Sequence, residues 1–301
     1  PQPLSIGPRQ ATAQFLTDGS RACWYMLSGV ITVKFWGVRG SFPTAEASHL
    51  AVGGNTSCVE IRAGNGTRLI IDAGTGLRGL GLELARQRKK EEIRFLITHF
   101  HGDHMHGLPF FAPIYDPARE VTFYSGVAPK LARAAMERLM SAPYFPVELA
   151  ALAGRRNYVQ LDRQSTETGG VKVTSFRLNH PQGAWGYRIE HGGVSVVHAS
   201  DYEHGVASAE RELVDAAREA SLLIYDAQYT PAEYQKHKGW GHSTWAEGVR
   251  IARRARVKRL ALFHHDPSHD DPAIEAIAAL ARRRFANTIA AREGAVIELS
   301  A

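Results

Sequence analysis

Apolar and polar positions alternate with a period of two in short runs along most of this chain, and shift to helical spacing in a few longer stretches. The β-branched and apolar runs predict strands at 30–36, 57–63, 67–72, 93–98 and 121–125. Further strands are predicted at 171–178, 184–190, 193–199, 222–225, 259–263 and 295–299. Helical spacing runs from the turn Ala73-Gly74-Thr75-Gly76 to about Arg88, from Pro129 to about Met140, and over about 208–220, 244–256 and 272–285. Pro129 suits a first helical turn, and Ser243 or Thr244 offers an N-cap. Residues 141–170, with Pro143, Pro146, Gly154, Gly169 and Gly170, read as irregular. In each half, strands come first and strands then mix with helices. That order fits two sheets packed face to face with helices outside, although the pattern alone says no more than α/β or α+β. Residues 1–25 carry Pro, Gln, Ser and Thr without a period. They read as an appended leader, followed by a single domain over 26–301; a leader that packs on the domain is the alternative. They lack the basic start and apolar stretch of a secretory signal.

Composition narrows this little. The chain has 301 residues, 44% hydrophobic and 22% charged, as expected of a soluble globular protein. No apolar run reaches the length of a membrane-spanning helix, so no membrane partner is expected. Two cysteines, Cys23 and Cys58, give neither a disulfide framework nor zinc-type spacing, which suits a reducing, cytoplasmic setting. Cys58 reads as a small core residue in a strand. A net charge of +6 favours anionic partners weakly. Much of it is local, in Arg253, Arg254, Arg256, Lys258 and Arg259 and in Arg282, Arg283 and Arg284, which read as solvated helix faces rather than a nucleic-acid patch.

Chemistry concentrates in Thr98-His99-Phe100-His101-Gly102-Asp103-His104, where four metal-ligating side chains fall within six consecutive positions. The strand 93–98 delivers them to a loop at its carboxyl end, where open sheets usually place ligand sites. Imidazole suits zinc and related transition metals, and carboxylate adds a harder oxygen ligand. Three more residues stand just past predicted strands: His180 after 171–178, Asp201 after 193–199, and His264 after 259–263. Adjacent residues past a strand point apart, so only one of His264 and His265 is expected at a metal. His49, His191, His237 and His269 read as surface residues, and His198 either lines the site or packs near it.

The pattern His-x-His-x-Asp-His, with His180, Asp201 and His264 following in order, resembles the metallo-β-lactamase superfamily from about Val30 to the C-terminus. The resemblance implies an α+β fold, the four-layer αββα sandwich, with the site at one edge of the sheets. It implies two divalent metal ions, zinc by the His-rich set, with manganese or iron as alternatives. His99, His101 and His180 would hold one ion, Asp103, His104 and His264 the other, and Asp201 would bridge them. A hydroxide between the ions would attack, since a metal lowers the pKa of bound water to about 7, and Asp103 would also orient it. Asp72, ending a buried strand, would support the loop by hydrogen bonds. In the Gly-rich loops 36–41 and 53–57, Arg39 is a candidate substrate anchor.

Gly239-Trp240-Gly241-His242-Ser243-Thr244 resembles the His-Ser/Thr motif of the ribonuclease Z branch, where a non-ligand His faces the leaving group. The resemblance makes His242 catalytic beside Asp103, with Asp226 at the branch's acidic position after a strand. One departure matters. Members that process tRNA carry a long arm between the equivalents of His180 and Asp201, and here a strand, a turn and a strand fill that interval. The implied function is hydrolysis of a small or cyclic anionic phosphodiester, with nucleic acid not indicated and a homodimer allowed. The alternatives are hydrolysis of a carboxylic ester, lactone, thioester or β-lactam at the same centre, or a non-catalytic binding module.

Overall fold

The structure, a computed structural model, describes residues 29–87 and 91–301. The expected leader 1–25 and the start of the domain at Met26 lie outside the described residues.

The first half builds β1 (Val30–Gly37), β2 (Cys58–Ala63), β3 (Arg68–Ile71), helix α1 (Leu77–Ala85), β4 (Ile93–Ile97), β5 (Glu120–Ser125), helix α2 (Pro129–Leu139) and β6 (Arg155–Gln160). The second half builds β7 (Ser165–Thr168), β8 (Val171–Leu178), β9 (Ala184–His191), β10 (Val194–Ala199), helix α3 (Ala207–Ala217), β11 (Leu222–Asp226) and the short helix α4 (Pro231–Tyr234). Helix α5 (Trp245–Arg254), β12 (Leu260–Phe263), helix α6 (Asp271–Arg284), β13 (Thr288–Ala290) and β14 (Val296–Ser300) complete it. β14 crosses back to pair with β1. One seven-stranded sheet therefore runs β14-β1-β2-β3-β4-β5-β6 and the other β13-β12-β11-β10-β9-β8-β7.

Alternation decides the layers. On β10, Val194 and Val196 join the core between the sheets, while Val197 and Ala199 face the helices α3 and α5; β11 and β12 repeat this with Ile224 against Tyr225 and Phe263 against Leu262. On β4, Leu96 faces inward, whereas Phe95 and Ile97 meet α1. Both faces of the central strands are thus buried, giving the four-layer αββα sandwich. Each fully buried Val, Leu, Ile or Phe contributes about 1.5–3 kcal/mol, which favours one register over a one-residue slip.

Strand direction sets where the loops go. β3, β4, β5 and β6 are mutually parallel, as are β10, β11, β12 and β13. β8 and β10 are both antiparallel to β9, so β8 points the same way as β10. The carboxyl ends of β3, β4, β8, β10, β11 and β12 supply Asp72, His99–His104, His180, Asp201, Asp226 and His264.

The expected irregular segment 141–170 is corrected by β6 and β7. Both are polar edge strands, half exposed, and offer no apolar alternation to read. β13 and α4 are too short to show a period. Thr244 caps α5 by accepting from the Glu247 amide, as its position implied.

Candidate metal centre

Local geometry first fixes the loop after β4. Asp72, fully buried, ends β3 at a φ of 60°. Its carboxylate accepts from the Thr98 amide at 2.8 Å and the Thr98 hydroxyl at 2.9 Å, and faces His104 Nδ1 at 2.8 Å. A carboxylate only accepts, so the Thr98 hydroxyl is spent as a donor there. It then accepts from His99 Nδ1, 3.0 Å away.

The same reasoning fixes the other rings. His180 Nδ1 donates to the Gly241 carbonyl at 2.8 Å, and His264 Nδ1 to Gln228 Oε1 at 3.0 Å. The Gln228 amide nitrogen faces the Asp266 carboxylate at 3.3 Å, which orients its oxygen toward His264. His101 Nε2 donates to Gln182 Oε1 at 3.2 Å. In its neutral form, each of these imidazoles therefore turns its unprotonated nitrogen inward. Those nitrogens crowd together: His104 Nε2 lies 3.3 Å from His264 Nε2, and His180 Nε2 3.3 Å from His101 Nδ1. His99 Nε2 is buried without a hydrogen-bond partner.

Two carboxylates complete the cluster. Asp103 Oδ2 accepts from the Ser41 amide at 2.8 Å and lies 3.2 Å from His264 Nε2. Asp201 Oδ1 lies 3.7 Å from His99 Nε2 and 3.9 Å from His180 Nε2, whereas Oδ2 lies 3.2 Å from His104 Nε2 and 3.4 Å from His264 Nε2. Asp201 Oδ2 has no hydrogen-bond donor. Lone pairs facing lone pairs, buried, repel unless a cation sits among them, and His nitrogens with carboxylate oxygens are the donor set of zinc-like ions. The residues fit a divalent metal. His99, His101 and His180 form one group with ligand atoms mutually within 4.8 Å, and Asp103, His104 and His264 another.

Electrostatics agree. His104 is held well above the usual histidine range: burial opposes this, but Asp201, Asp103 and Asp72 outweigh it. Asp201 and Asp103 are held well below the carboxylate range; burial opposes both shifts, and His104 and His264 overcome it. The surplus of carboxylate draws positive charge to the middle of the cluster. Asp201 and His264 themselves sit at φ values of 58° and 59°, a left-handed conformation costing about 1–2 kcal/mol per residue.

His242 stands beside this set. Its Nδ1 donates to Asp226 Oδ2 at 2.9 Å, and its ring lies 5.0 Å from that of His264 and 5.4 Å from that of His180. Asp226 also accepts from the amides of Asp201, Gln228 and Ser243, which exhausts its lone pairs and leaves it no ligand capacity. Burial disfavours the imidazolium at His242, but the charge and hydrogen bond of Asp226, with Asp201 and Asp103 behind, raise its pKa to about 9.

A family model for the beta-lactamase superfamily domain matches residues 67–265. The chain belongs to this superfamily. Among curated relatives, ribonuclease Z of Lachnospira eligens is 25% identical over 285 residues, spanning 78% of this chain and 89% of that one. Human tRNase Z, short form, aligns with a TM-score of 0.63 and 23% identity, over 88% of this chain and 98% of its own. A diphosphatase from the PhnP family aligns with a TM-score of 0.66 and 18% identity, over 90% and 98%. These structural likenesses establish the fold, and the sequence relatives put the chain on the ribonuclease Z-like branch.

Other expectations resolve differently in this superfamily member. Arg39 is fully buried and donates to the carbonyls of Gly53, Asp266 and His269, at 2.8, 3.2 and 2.6 Å. It ties loops together and is not a substrate anchor. His49 and His269, read as surface residues, are buried and bonded to the Pro267 carbonyl and the Glu233 carboxylate. His265 turns away to the Ala291 carbonyl, as strand geometry required of one of the pair. His198 packs in the core beneath the centre, 5.5 Å from the Phe263 ring, with neither ring nitrogen bonded. Between His180 and Asp201 lie only the strands β9 and β10 and their turns. Sequence reasoning missed Gln228 and Glu203. Glu203 accepts from the amides of Gly239 and Gly241 and from Tyr234, bracing the loop that carries His242. A polar residue two past Asp226 was the available signal for Gln228; Glu203 had none.

Proposed function

We propose that this chain is a binuclear metal-dependent phosphodiesterase acting on a small or cyclic phosphodiester. The observation that carries this is the inward ring of unprotonated imidazoles and carboxylates, flanked by a separate proton donor at His242. His99, His101 and His180 hold one ion, and Asp103, His104 and His264 the other. Asp201 bridges, a role its two oxygens support by each facing a different histidine group. Zinc suits the donor set, with manganese or iron as alternatives. When bound, the two ions neutralise phosphoryl charge and lower the pKa of a water.

The chain's own groups do the rest. Asp103, fixed by the Ser41 amide, accepts a hydrogen bond from the attacking water and orients it, while the water's proton passes to solvent, since this carboxylate is held too acidic to keep it. The water oxygen joins phosphorus as the bond to the leaving oxygen breaks. His242, anchored through Nδ1 to Asp226, gives the Nε2 proton to that oxygen. The products are a phosphomonoester and an alcohol. An alkoxide leaving group needs this proton far more than a thiolate does, and this favours an oxygen ester over a thioester. The ribonuclease Z relatives support the same chemistry. The short β9–β10 connection offers no arm to grip a folded RNA, so precursor tRNA is a poor substrate. No described helix is long and apolar enough to cross a membrane. A cytoplasmic setting suits Cys58, a free thiol whose pKa burial pushes well up, keeping it inert.

Elemental analysis of chelator-free protein, with turnover of bis(p-nitrophenyl) phosphate, a chromogenic lactone and a chromogenic β-lactam, tests the reading. Two metal equivalents and phosphodiester turnover are expected. Lactone or β-lactam turnover without phosphodiester turnover sinks it.

A further inference from the structure

A strained turn borders the metal cluster. Residues 40–42 close on a hydrogen bond from the Phe42 amide to the Gly40 carbonyl at 2.6 Å, with Ser41 between them at a φ of 59°. A three-residue turn with positive φ at its centre is rare and strained, and glycine is the residue that adopts it cheaply. Glycine stands one position earlier instead, where a Cβ would fall 2.3 Å from His264 Nδ1. The turn aims the Ser41 amide at Asp103 Oδ2, 2.8 Å away, a contact that any residue with an N–H would make there. The side chain adds something else. Gln228, whose oxygen is taken by His264, turns its Nε2 to Ser41 Oγ at 3.2 Å, and an amide nitrogen only donates. The Ser41 hydroxyl therefore accepts from Gln228 and keeps its own proton, and among the described residues no acceptor takes that proton. Ser41 is exposed, although it touches both a member of the cluster and the amide that orients another.

We infer that Ser41 is a catalytic residue, its hydroxyl donating to a non-bridging oxygen of the phosphoryl group under attack. This rests on the phosphodiesterase reading. At such a centre the attacking water needs an acceptor, which Asp103 supplies, while the phosphoryl oxygens gain charge and need fixed donors. The outer ring N–H groups of His99, His101, His180 and His264 are committed away from the cluster, and the His242 proton goes to the leaving oxygen. The Ser41 proton is uncommitted, and it is carried by the residue whose amide holds Asp103 in place. A turn with only a structural task would be served better by glycine, which supplies the same amide without the strain. Backbone strain of this kind clusters at active sites.

Methyl p-nitrophenyl phosphate and the two enantiomers of its phosphorothioate test this, each enantiomer placing sulfur, a poor hydrogen-bond acceptor, at a different non-bridging position. Ser41→Gly keeps the amide and suits the φ, so the holoenzyme should keep its metal content and its thermal midpoint should not fall. Its kcat/KM for the oxygen ester should nevertheless drop roughly ten- to a hundredfold, the range for a hydrogen bond to a charged group. One enantiomer should lose as much. The other, whose sulfur already fails to accept from Ser41, should lose less than about threefold, since little of that hydrogen bond remains to be removed. Ser41→Ala, which keeps Cβ, should show the same selectivity between enantiomers. Tyr229 also sets its hydroxyl against Gln228 Nε2, at 3.2 Å, but is buried, and Tyr229→Phe should change all three esters alike. Equal losses on the three esters in both Ser41 variants, no loss at all, or lost metal or a lower midpoint in Ser41→Gly overturns the assignment. If the wild-type enzyme with its ions bound turns over none of the esters, the phosphodiesterase reading falls instead. Calorimetry with inorganic phosphate then decides for Ser41 by itself: weaker binding in Ser41→Gly supports the phosphoryl contact, and unchanged binding overturns it.

Discussion

The centre is assembled from two unlike halves. His99, His101, Asp103 and His104 come from one loop after β4, close in sequence and braced locally by Asp72 and Thr98. His180, Asp201 and His264 arrive singly, from the ends of β8, β10 and β12. The first half needs a strand end and one supporting carboxylate. The second needs the register of a whole sheet, and two of its members, Asp201 and His264, hold a left-handed backbone to reach inward. Local adjacency makes a dense ligand loop; sheet topology closes it into a cluster that fits divalent metal.

Asp201 is where the halves join, so its loss should have the largest effect. Asp201→Ala removes the oxygen facing His99 and His180 together with the one facing His104 and His264. Metal content should fall from two equivalents to below one, and phosphodiester turnover should fall to background. Retention of two ions by this variant would show that the halves bind independently, and would end the bridging assignment.

Next comes His242→Ala, which should leave both ions and the fold in place and cost roughly 10²–10⁴ in rate. The loss should be large for an alkoxide leaving group and small for nitrophenolate, which needs little protonation. An unchanged rate with an alkoxide leaving group would reduce His242 to a structural residue before α5.

The uneven legibility of these halves follows from their construction. The loop ligands could be read because they are contiguous and an apolar strand runs straight into them. His180, Asp201 and His264 could be ordered because each follows a β-branched run, yet only the resemblance joined them into one set. Layers were legible where strands are buried on both faces, and illegible at β6 and β7, whose polar edges carry no alternation. Arg39 misled because a long cation in a Gly-rich loop looks free, while its guanidinium is buried and donates to three carbonyls, two of them more than 200 positions away in sequence. Glu203 and Gln228 act through contacts between loops, and such contacts leave no trace in local spacing.

A smaller effect separates charge from geometry at Asp226. His242 must be protonated to donate, so turnover of an alkoxide ester should fall as pH rises through the His242 pKa. That pKa is raised to about 9 without ions, by Asp226 foremost among the groups that oppose burial. Bound cations offset Asp201 and Asp103, so the limb in the holoenzyme lies at or below that value. Asp226→Asn keeps an acceptor but removes the charge. The limb should move to lower pH, and the rate on the plateau should fall roughly 10–100-fold, as for other groups that orient a functional histidine. A limb that stays in place would assign it to another group.

The smallest effects should compare the halves directly, through the amides that orient one ligand in each. Gln228 is buried and accepts from His264 Nδ1 at 3.0 Å; Gln182 is exposed and accepts from His101 Nε2 at 3.2 Å. Gln228→Ala leaves a buried N–H without a partner and frees the ring to turn, so the affinity for one ion should drop roughly 10–100-fold. Gln182→Ala exposes the His101 N–H to water, which replaces the lost acceptor at little cost, so affinity should change by less than about threefold. Competition against a chromophoric chelator measures both. Equal losses would mean that the loop is as dependent on its outer contacts as the strand-end ligands are, and the contrast between a locally built half and a topologically built one would fail.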